Sequence, residues 1–379
     1  MTSVYFDNAA TTQVRPEVAD AMCDVLQHTF GNPSSTHKFG RTAKALVENA
    51  RKQIAKHLNV NAGEIIFTSG GTEADNLVLL SCVRDLGIRT IITSRIEHHA
   101  VLHTVAQLKT EYKIAVEYVN LDEKGGVDYN HLEALLQNSS EVLVSLMHVN
   151  NEIGNVLDLE KTARLCKQYK ALFHSDTVQS VGHYALDLQQ VPIDFLAVSA
   201  HKFHGPKGVG FVFVRKHSGL KPLIFGGEQE RGLRAGTESL HNIIGLESAL
   251  TLAYKDLDTD SHHIKSIKQY FIEKLKTAVP KVAFNGYSAD LEKSKHTILS
   301  VRLPMPPEKS DTLLFQLDLK GIACSRGSAC QSGSNKGSHV LTELLNDAQI
   351  QHPSLRFSFS RYNTKAEVDY VVDVLKTLL

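Results

Sequence analysis

Apolar positions along the chain fall into two patterns that alternate. Short runs of consecutive apolar and β-branched residues, Glu64-Ile65-Ile66-Phe67-Thr68, Thr90-Ile91-Ile92-Thr93 and Val142-Leu143-Val144-Ser145-Leu146, read as buried strands. Ala171-Leu172-Phe173-His174, Phe195-Leu196-Ala197-Val198 and Gly210-Phe211-Val212-Phe213-Val214 continue the series. Between them Leu46, Ala50, Ile54 and Leu58 recur at helical spacing, which predicts a helix laid on the sheet. From about residue 40 to about residue 250 the alternation predicts an α/β fold on a mostly parallel sheet.

The polar stretch Lys255-Asp256-Leu257-Asp258-Thr259-Asp260 is the best candidate boundary, because the helix after it places Ile264, Ile267, Phe271 and Leu275 on one face. A smaller second domain is expected from here on. It closes with a helix whose Thr364 and Glu367 form a capping-box pattern ahead of Val368, Val371, Val372 and Leu375.

Composition narrows the function classes. Lys+Arg and Asp+Glu are equal at 41 each, which argues against a nucleic-acid binder that relies on bulk positive charge. No apolar run approaches the roughly 18 residues that would span a membrane, and the start lacks a basic region followed by an apolar one, so a cytoplasmic protein is expected. The five cysteines, Cys23, Cys82, Cys166, Cys324 and Cys330, include no C-x-x-C pair, so reduced thiols are expected rather than disulfides or a zinc site. Cys23, Cys82 and Cys166 sit in helix-like patterns and Cys324 ends an apolar run, which predicts structural roles for these four.

Two distant segments carry the most chemistry. Lys202 lies in Ser199-Ala200-His201-Lys202-Phe203-His204-Gly205-Pro206-Lys207-Gly208, just past a strand. An amine there can hold an aldehyde cofactor as a Schiff base, although a lysine after a strand is more often only solvated. The glycine-rich continuation fixes the backbone around it and leads into a strand, so it is no dinucleotide fingerprint. Cys330 lies in Ser328-Ala329-Cys330-Gln331-Ser332-Gly333-Ser334, a segment with little to bury, where a thiol can act as a nucleophile.

Other residues fit the same cofactor. Ser69-Gly70-Gly71-Thr72-Glu73 joins a strand to a helix and offers N–H groups and a hydroxyl to a phosphate, with Ser199 and His201 as further candidates. Mere packing is the commoner reading of such a turn. Asp176 ends a strand, where it can pair with a protonated pyridine nitrogen or serve as a helix cap. Arg356 alternates with apolar neighbours and can grip a substrate carboxylate or make a structural ion pair. His98, just beyond a strand, can stack on a ring, move protons or sit at the surface.

With these residues placed, the chain resembles the NifS/IscS type of cysteine desulfurase in the class V aminotransferase family. Asp7-Asn8-Ala9-Ala10-Thr11-Thr12, Gly31-Asn32-Pro33-Ser34-Ser35, Thr68-Ser69-Gly70-Gly71-Thr72-Glu73-Ala74-Asp75-Asn76 and Met147-His148-Val149-Asn150-Asn151-Glu152-Ile153-Gly154 carry the resemblance. It runs on through Ser199-Ala200-His201-Lys202, Arg231-Gly232-Leu233-Arg234-Ala235-Gly236-Thr237 and Gly327-Ser328-Ala329-Cys330.

The resemblance implies the aspartate aminotransferase-like (type I) fold of pyridoxal 5′-phosphate enzymes, with a large cofactor-binding domain over 15–255 and a small domain over 1–14 and 256–379 that carries the cysteine loop. It implies that Lys202 holds the cofactor, Asp176 pairs with its pyridine nitrogen, His98 stacks on its ring, and Gln179 bonds its phenolic oxygen with Asn151 nearby. Gly71, Thr72, Ser199 and His201 would hold the phosphate, joined by Thr237 from a second subunit of a homodimer. Arg356 would bind the carboxylate of L-cysteine. Cys330 would take the sulfur as a persulfide and pass it to an iron–sulfur scaffold or another acceptor. Arg326 stands where relatives often have a small residue, which is expected to alter the Cys330 thiolate. Another class V lyase or aminotransferase, selenocysteine lyase included, is the enzymatic alternative, and a non-catalytic sulfur-trafficking subunit is the alternative from another class.

Overall fold

In the computed structural model, which describes residues 3–327 and 337–379, the strand-like runs assemble into one seven-stranded sheet. Its strands are β2 (Ile65–Thr68), β3 (Thr90–Thr93), β4 (Ala115–Tyr118), β5 (Val142–Ser145), β6 (Leu172–Asp176), β7 (Phe195–Ser199) and β8 (Gly210–Val214). A two-residue strand, β1 (Val4–Tyr5), precedes them. The order across the sheet is β2-β8-β7-β6-β5-β3-β4, and only β8 runs against its neighbours.

Both faces of this sheet are covered, which explains why its central strands are buried at nearly every position instead of alternating. Ile65, Phe67, Leu196, Val198, Phe211 and Phe213 face one helical layer, formed by α1 (Pro16–His28), α2 (Lys38–His57), α5 (Tyr129–Gln137), α6 (Leu159–Gln168) and α7 (Leu240–Lys255). The alternate residues Ile66, Phe195, Ala197 and Val212 face α3 (Gly71–Arg84) and α4 (His99–Tyr112). Strand β4 was not expected from the apolar pattern, because it is an edge strand that alternates exposed and half-buried residues. Glu64 does not start a strand: it closes a 3₁₀ turn, where its carboxylate accepts from the N–H groups of Asn61 and Lys216.

The remaining elements build a second core. They are α8 (Leu257–Ala278), β9 (Ala283–Phe284), β10 (Ile298–Arg302), α9 (Pro307–Leu319), β11 (Ile322–Ala323), α10 (His339–Leu344), α11 (Asp347–Ile350), β12 (Ser354–Ser358) and α12 (Lys365–Leu378). Strands β12, β10 and β9 form a three-stranded antiparallel sheet in that order. Ile264, Ile267, Phe271 and Leu275 of α8 bury their shared face there with Val368, Val371, Val372 and Leu375 of α12. The capping box predicted at Thr364 and Glu367 is formed.

The chain start joins this second core rather than the first. Strand β1 pairs in parallel with β11, and Phe6 packs against Phe271, Phe357 and Phe359 with ring centroids 5.9, 6.4 and 5.1 Å away. The polar stretch 255–260 is not a loop, since Asp256 alone separates α7 from α8. Its acids meet buried Arg15: Asp256 at 2.8 Å and Asp260 at 3.1 Å, with Arg361 on the same two carboxylates. Among the described residues no helix is long and apolar enough to cross a membrane.

Candidate active site

A cavity of about 200 Å³ opens at the C-terminal ends of β6 and β7, where an open α/β sheet presents its ligands. Gly71, Thr72, His98, Asn151, Asp176, Gln179, Ser199, His201, Lys202 and Arg356 all line it. The sequence spreads these residues over nearly 300 positions. The fold gathers them because most lie at or just past a strand end or at the start of the helix after it, while Arg356 reaches in from β12.

Lys202 closes a single 3₁₀ turn, Ala200–Lys202, immediately after β7. Backbone bonds from Phe203 and Gly205 to the Ala200 carbonyl, and from Ala200 to Val209, hold this turn. His183 Nε2 donates to the Lys202 carbonyl at 3.0 Å. The Lys202 ammonium donates to the carbonyls of Ala9 and Ala10, both at 2.7 Å. Those two alanines belong to the motif at the chain start, yet their part is played by backbone oxygen, which no side-chain chemistry could reveal.

Opposite the lysine lies a buried acidic floor. Asp176 accepts the Val178 N–H at 2.9 Å, and burial raises its proton affinity against the opposing charges of His98 and Lys202. Beside it Asp75, on α3, is 1% exposed, and burial with the charges of Asp176 and Glu97 holds its carboxyl well above the usual range. His174 Nε2 lies 3.3 Å from Asp75, while His174 Nδ1 pairs with the Ser145 hydroxyl at 2.9 Å. Glu97 is also buried, which pushes it up to about 8, although it accepts from Ser94 Oγ and Met147 N–H. Asp75 lies in the polar stretch Thr72-Glu73-Ala74-Asp75-Asn76, and neither it nor Glu97 carried a signal of burial.

His98 caps α4, and its Nδ1 accepts the Ala100 N–H at 3.1 Å, which leaves the ring proton on Nε2. Gln179 donates from Nε2 to the Ala9 carbonyl at 2.9 Å. His201 Nδ1 meets the Thr11 hydroxyl at 3.1 Å, and burial lowers its pKa to about 4. Gly71 begins α3 directly under the cavity. A Cβ there would sit 2.4 Å from a methyl of Val178, so only glycine leaves this approach to the first N–H groups of the helix open.

Arg356, 2% exposed on β12, donates to the Asn151 carbonyl at 2.8 Å and to Asp7 at 3.0 Å. Its buried Nε has no hydrogen-bond partner among the described residues. Both readings of this arginine therefore have support: it makes an ion pair and still presents a donor.

One expected residue is not in the cavity. Thr237 is exposed and lines separate hollows, one with Thr68, Ser69 and Arg234 and another with Phe30 and Asn32. Cys330 lies outside the described residues. The residues flanking its segment converge on one buried carboxylate, however. Gly327 has φ +129, and a Cβ there would sit 2.5 Å from Glu152 Oε2, the oxygen that also takes the Ser338 hydroxyl. Among the other thiols Cys82 and Cys166 are buried and burial pushes Cys324 up to about 12, as structural roles require, whereas Cys23 is exposed on α1.

Comparison with known proteins places this geometry. The family model described as "Aminotransferase class-V" matches residues 4–371. A protein of Bacillus subtilis (strain 168) named "Putative cysteine desulfurase IscS 1" is 41% identical, with 100% of each chain covered. "Cysteine desulfurase IscS" of Dictyoglomus turgidum is 39% identical over 99% of this chain and 94% of that protein. Among solved structures, one titled "NIFS-LIKE PROTEIN" superposes with a TM-score of 0.91 at 36% identity, covering 100% of this chain and 99% of its own. Another, titled "SspA in complex with cysteine", gives 0.82 at 31% identity over 96% of this chain and 100% of its own. The chain belongs to the class V aminotransferase family.

Proposed function

We propose that this protein is a cysteine desulfurase that uses pyridoxal 5′-phosphate to convert L-cysteine to L-alanine, leaving the sulfur as a persulfide on Cys330. The observation that carries this reading is the cavity itself, which sets the Lys202 amine, the buried Asp176 carboxyl and the Arg356 guanidinium around one space. The residues present fit the cofactor. Asp176 is a buried acid with an N–H bond but no bonded cation among the described residues, as suits a ring nitrogen that carries a proton. Gly71, Thr72, Ser199 and His201 lie together at a helix N-terminus, as suits a phosphate.

Lys202 would supply the amine that anchors the cofactor, Asp176 would hold the ring proton, His98 would cover the ring and Gln179 would bond the phenolic oxygen. The bound cofactor supplies an electron sink for the charge left at the substrate α carbon. Arg356 takes the substrate carboxylate on its guanidinium, steadied by Asp7 and Asn151. The Cys330 thiolate attacks the substrate sulfur: an S–S bond forms, the carbon–sulfur bond breaks with its electrons going to the β carbon, and protonation there gives alanine. The persulfide then passes to an iron–sulfur scaffold or another acceptor.

We place the large cofactor-binding domain at 15–255 and the small one at 1–14 with 256–379, a division supported by the separate core that joins Val4 and Phe6 to α8 and α12. The exposed position of Thr237, outside the cavity of its own chain, supports a homodimer in which it acts across the subunit boundary. The free thiols among the described cysteines are in keeping with a cytoplasmic protein.

The test is alanine and sulfide release from L-cysteine with a reductant, comparing wild type with Cys330→Ala. Equal release of both products by wild type, lost in the variant, is expected. Alanine formation that survives the substitution would point instead to a lyase or aminotransferase of the same family.

A further inference from the structure

A second buried amine stands behind the first. Lys295, just before β10, is 1% exposed, and among the described residues no carboxylate is bonded to it. Its ammonium nitrogen lies 3.4 Å from Gln179 Oε1. The groups around it are basic or neutral. Lys202, His148, His183 and His296 all face it electrostatically, and the Tyr184 ring packs at a tilt between His148 and His296, 5.6 and 6.0 Å away. The Lys295 backbone is pinned as well: its N–H donates to Gly154, and its carbonyl accepts from buried Lys268 at 2.8 Å.

The donor and acceptor roles fix the Gln179 amide. The Ala9 carbonyl can only accept, so it requires the NH₂ end of the side chain. Lys295 approaches the other end and donates to the oxygen. Flipping the amide would set oxygen against oxygen at Ala9 and take the carboxamide oxygen away from the Lys295 donor. In the observed orientation one N–H goes to Ala9 and the second remains for the cavity that Gln179 lines.

We propose that Lys295 is a positioning residue of the active site, which holds the Gln179 carboxamide so that its second N–H is aimed at the phenolic oxygen of pyridoxal phosphate. This rests on the cofactor reading given above. It makes the depth of the basic wall part of the site, although Lys295 itself does not line the cavity.

The test is a double-mutant cycle on the purified enzyme with Lys295→Met, Lys295→Leu as a second apolar variant, Gln179→Leu, and each Lys295 change combined with Gln179→Leu. Two readouts are taken: the affinity of the cofactor-stripped chain for pyridoxal phosphate, and the pH midpoint of the bound cofactor's visible absorbance. With Gln179 present, removing Lys295 is expected to weaken the affinity about tenfold and to move the midpoint upward by about one unit, because the anionic phenolic oxygen loses its donor. With Gln179→Leu in place, the same removal is expected to change neither. An equal effect in both backgrounds, or none in either, overturns the inference while uptake of the cofactor by wild type leaves the functional reading intact. Wild type that takes up no pyridoxal phosphate overturns both.

Discussion

The cavity has an acidic floor and a basic wall, and the two come from different cores. The floor, Asp75 and Asp176 with Glu97 buried behind them, hangs from the seven-stranded sheet and its helices, while Arg356 and, behind the wall, Lys295 come from β12 and the segment leading into β10. Burial acts on both regions with opposite sign. It raises the acids of the floor and lowers the buried amines Lys295 and Lys268 behind the wall, in each case toward the neutral form. Buried groups of this kind keep a charge only where a partner of opposite sign is supplied, and a zwitterionic amino acid bound with a phosphorylated cofactor would supply both signs.

Lys202 sits at the seam, so its removal is the largest test of the comparison. Lys202→Ala is expected to lower alanine formation at least about a thousandfold, with the cofactor's visible absorbance band lost from the purified protein; product assay and spectrum together check it. On the basic wall, Arg356→Lys keeps the charge and gives up the planar fork. It is expected to raise the KM for cysteine about a hundredfold with a smaller change in kcat, read from initial rates over a range of cysteine concentrations.

The floor yields the smallest effect and a defined sign. Glu97 has a folded pKa of about 8 against an ordinary value of 4.5, so across that window the folded chain keeps a proton that the unfolded chain has released. Stability from this group is therefore full below the lower value and falls as pH rises through the window. Glu97→Gln can keep both hydrogen bonds without the proton, accepting from Met147 and donating to Ser94. Its melting temperature is expected to fall less than that of wild type between about pH 5 and about pH 8, by several degrees, in thermal melts of the two proteins side by side.

Much of the large sheet was legible because its central strands are buried on both faces, which writes most of them as short apolar runs that end in a polar residue. Edge strand β4 lacks that mark and was missed. At the site, Lys202, Asp176 and Gly71 announce themselves by chemistry or by the turn they occupy. Ala9 and Ala10 act through carbonyls, and a carbonyl leaves no trace in residue type. Lys295 was invisible for another reason: a lysine in the polar run Glu292-Lys293-Ser294-Lys295 reads as solvated, and only the tertiary packing of the second core takes it out of water.

One contact made near the site has a consequence for how this protein can change. A Cβ on Gly210, the first residue of β8, would lie 2.1 Å from the Val198 carbonyl and 2.8 Å from the Gly70 Cα. Backbone thus rests on backbone, and the start of β8 is wedged between β7, the strand that leads to Lys202, and the turn that opens α3. Surface loops elsewhere can be lengthened at little cost. At Gly210 a side chain has no room at all, so this one position works as a keystone that fixes how closely β7, β8 and the turn opening α3 approach one another.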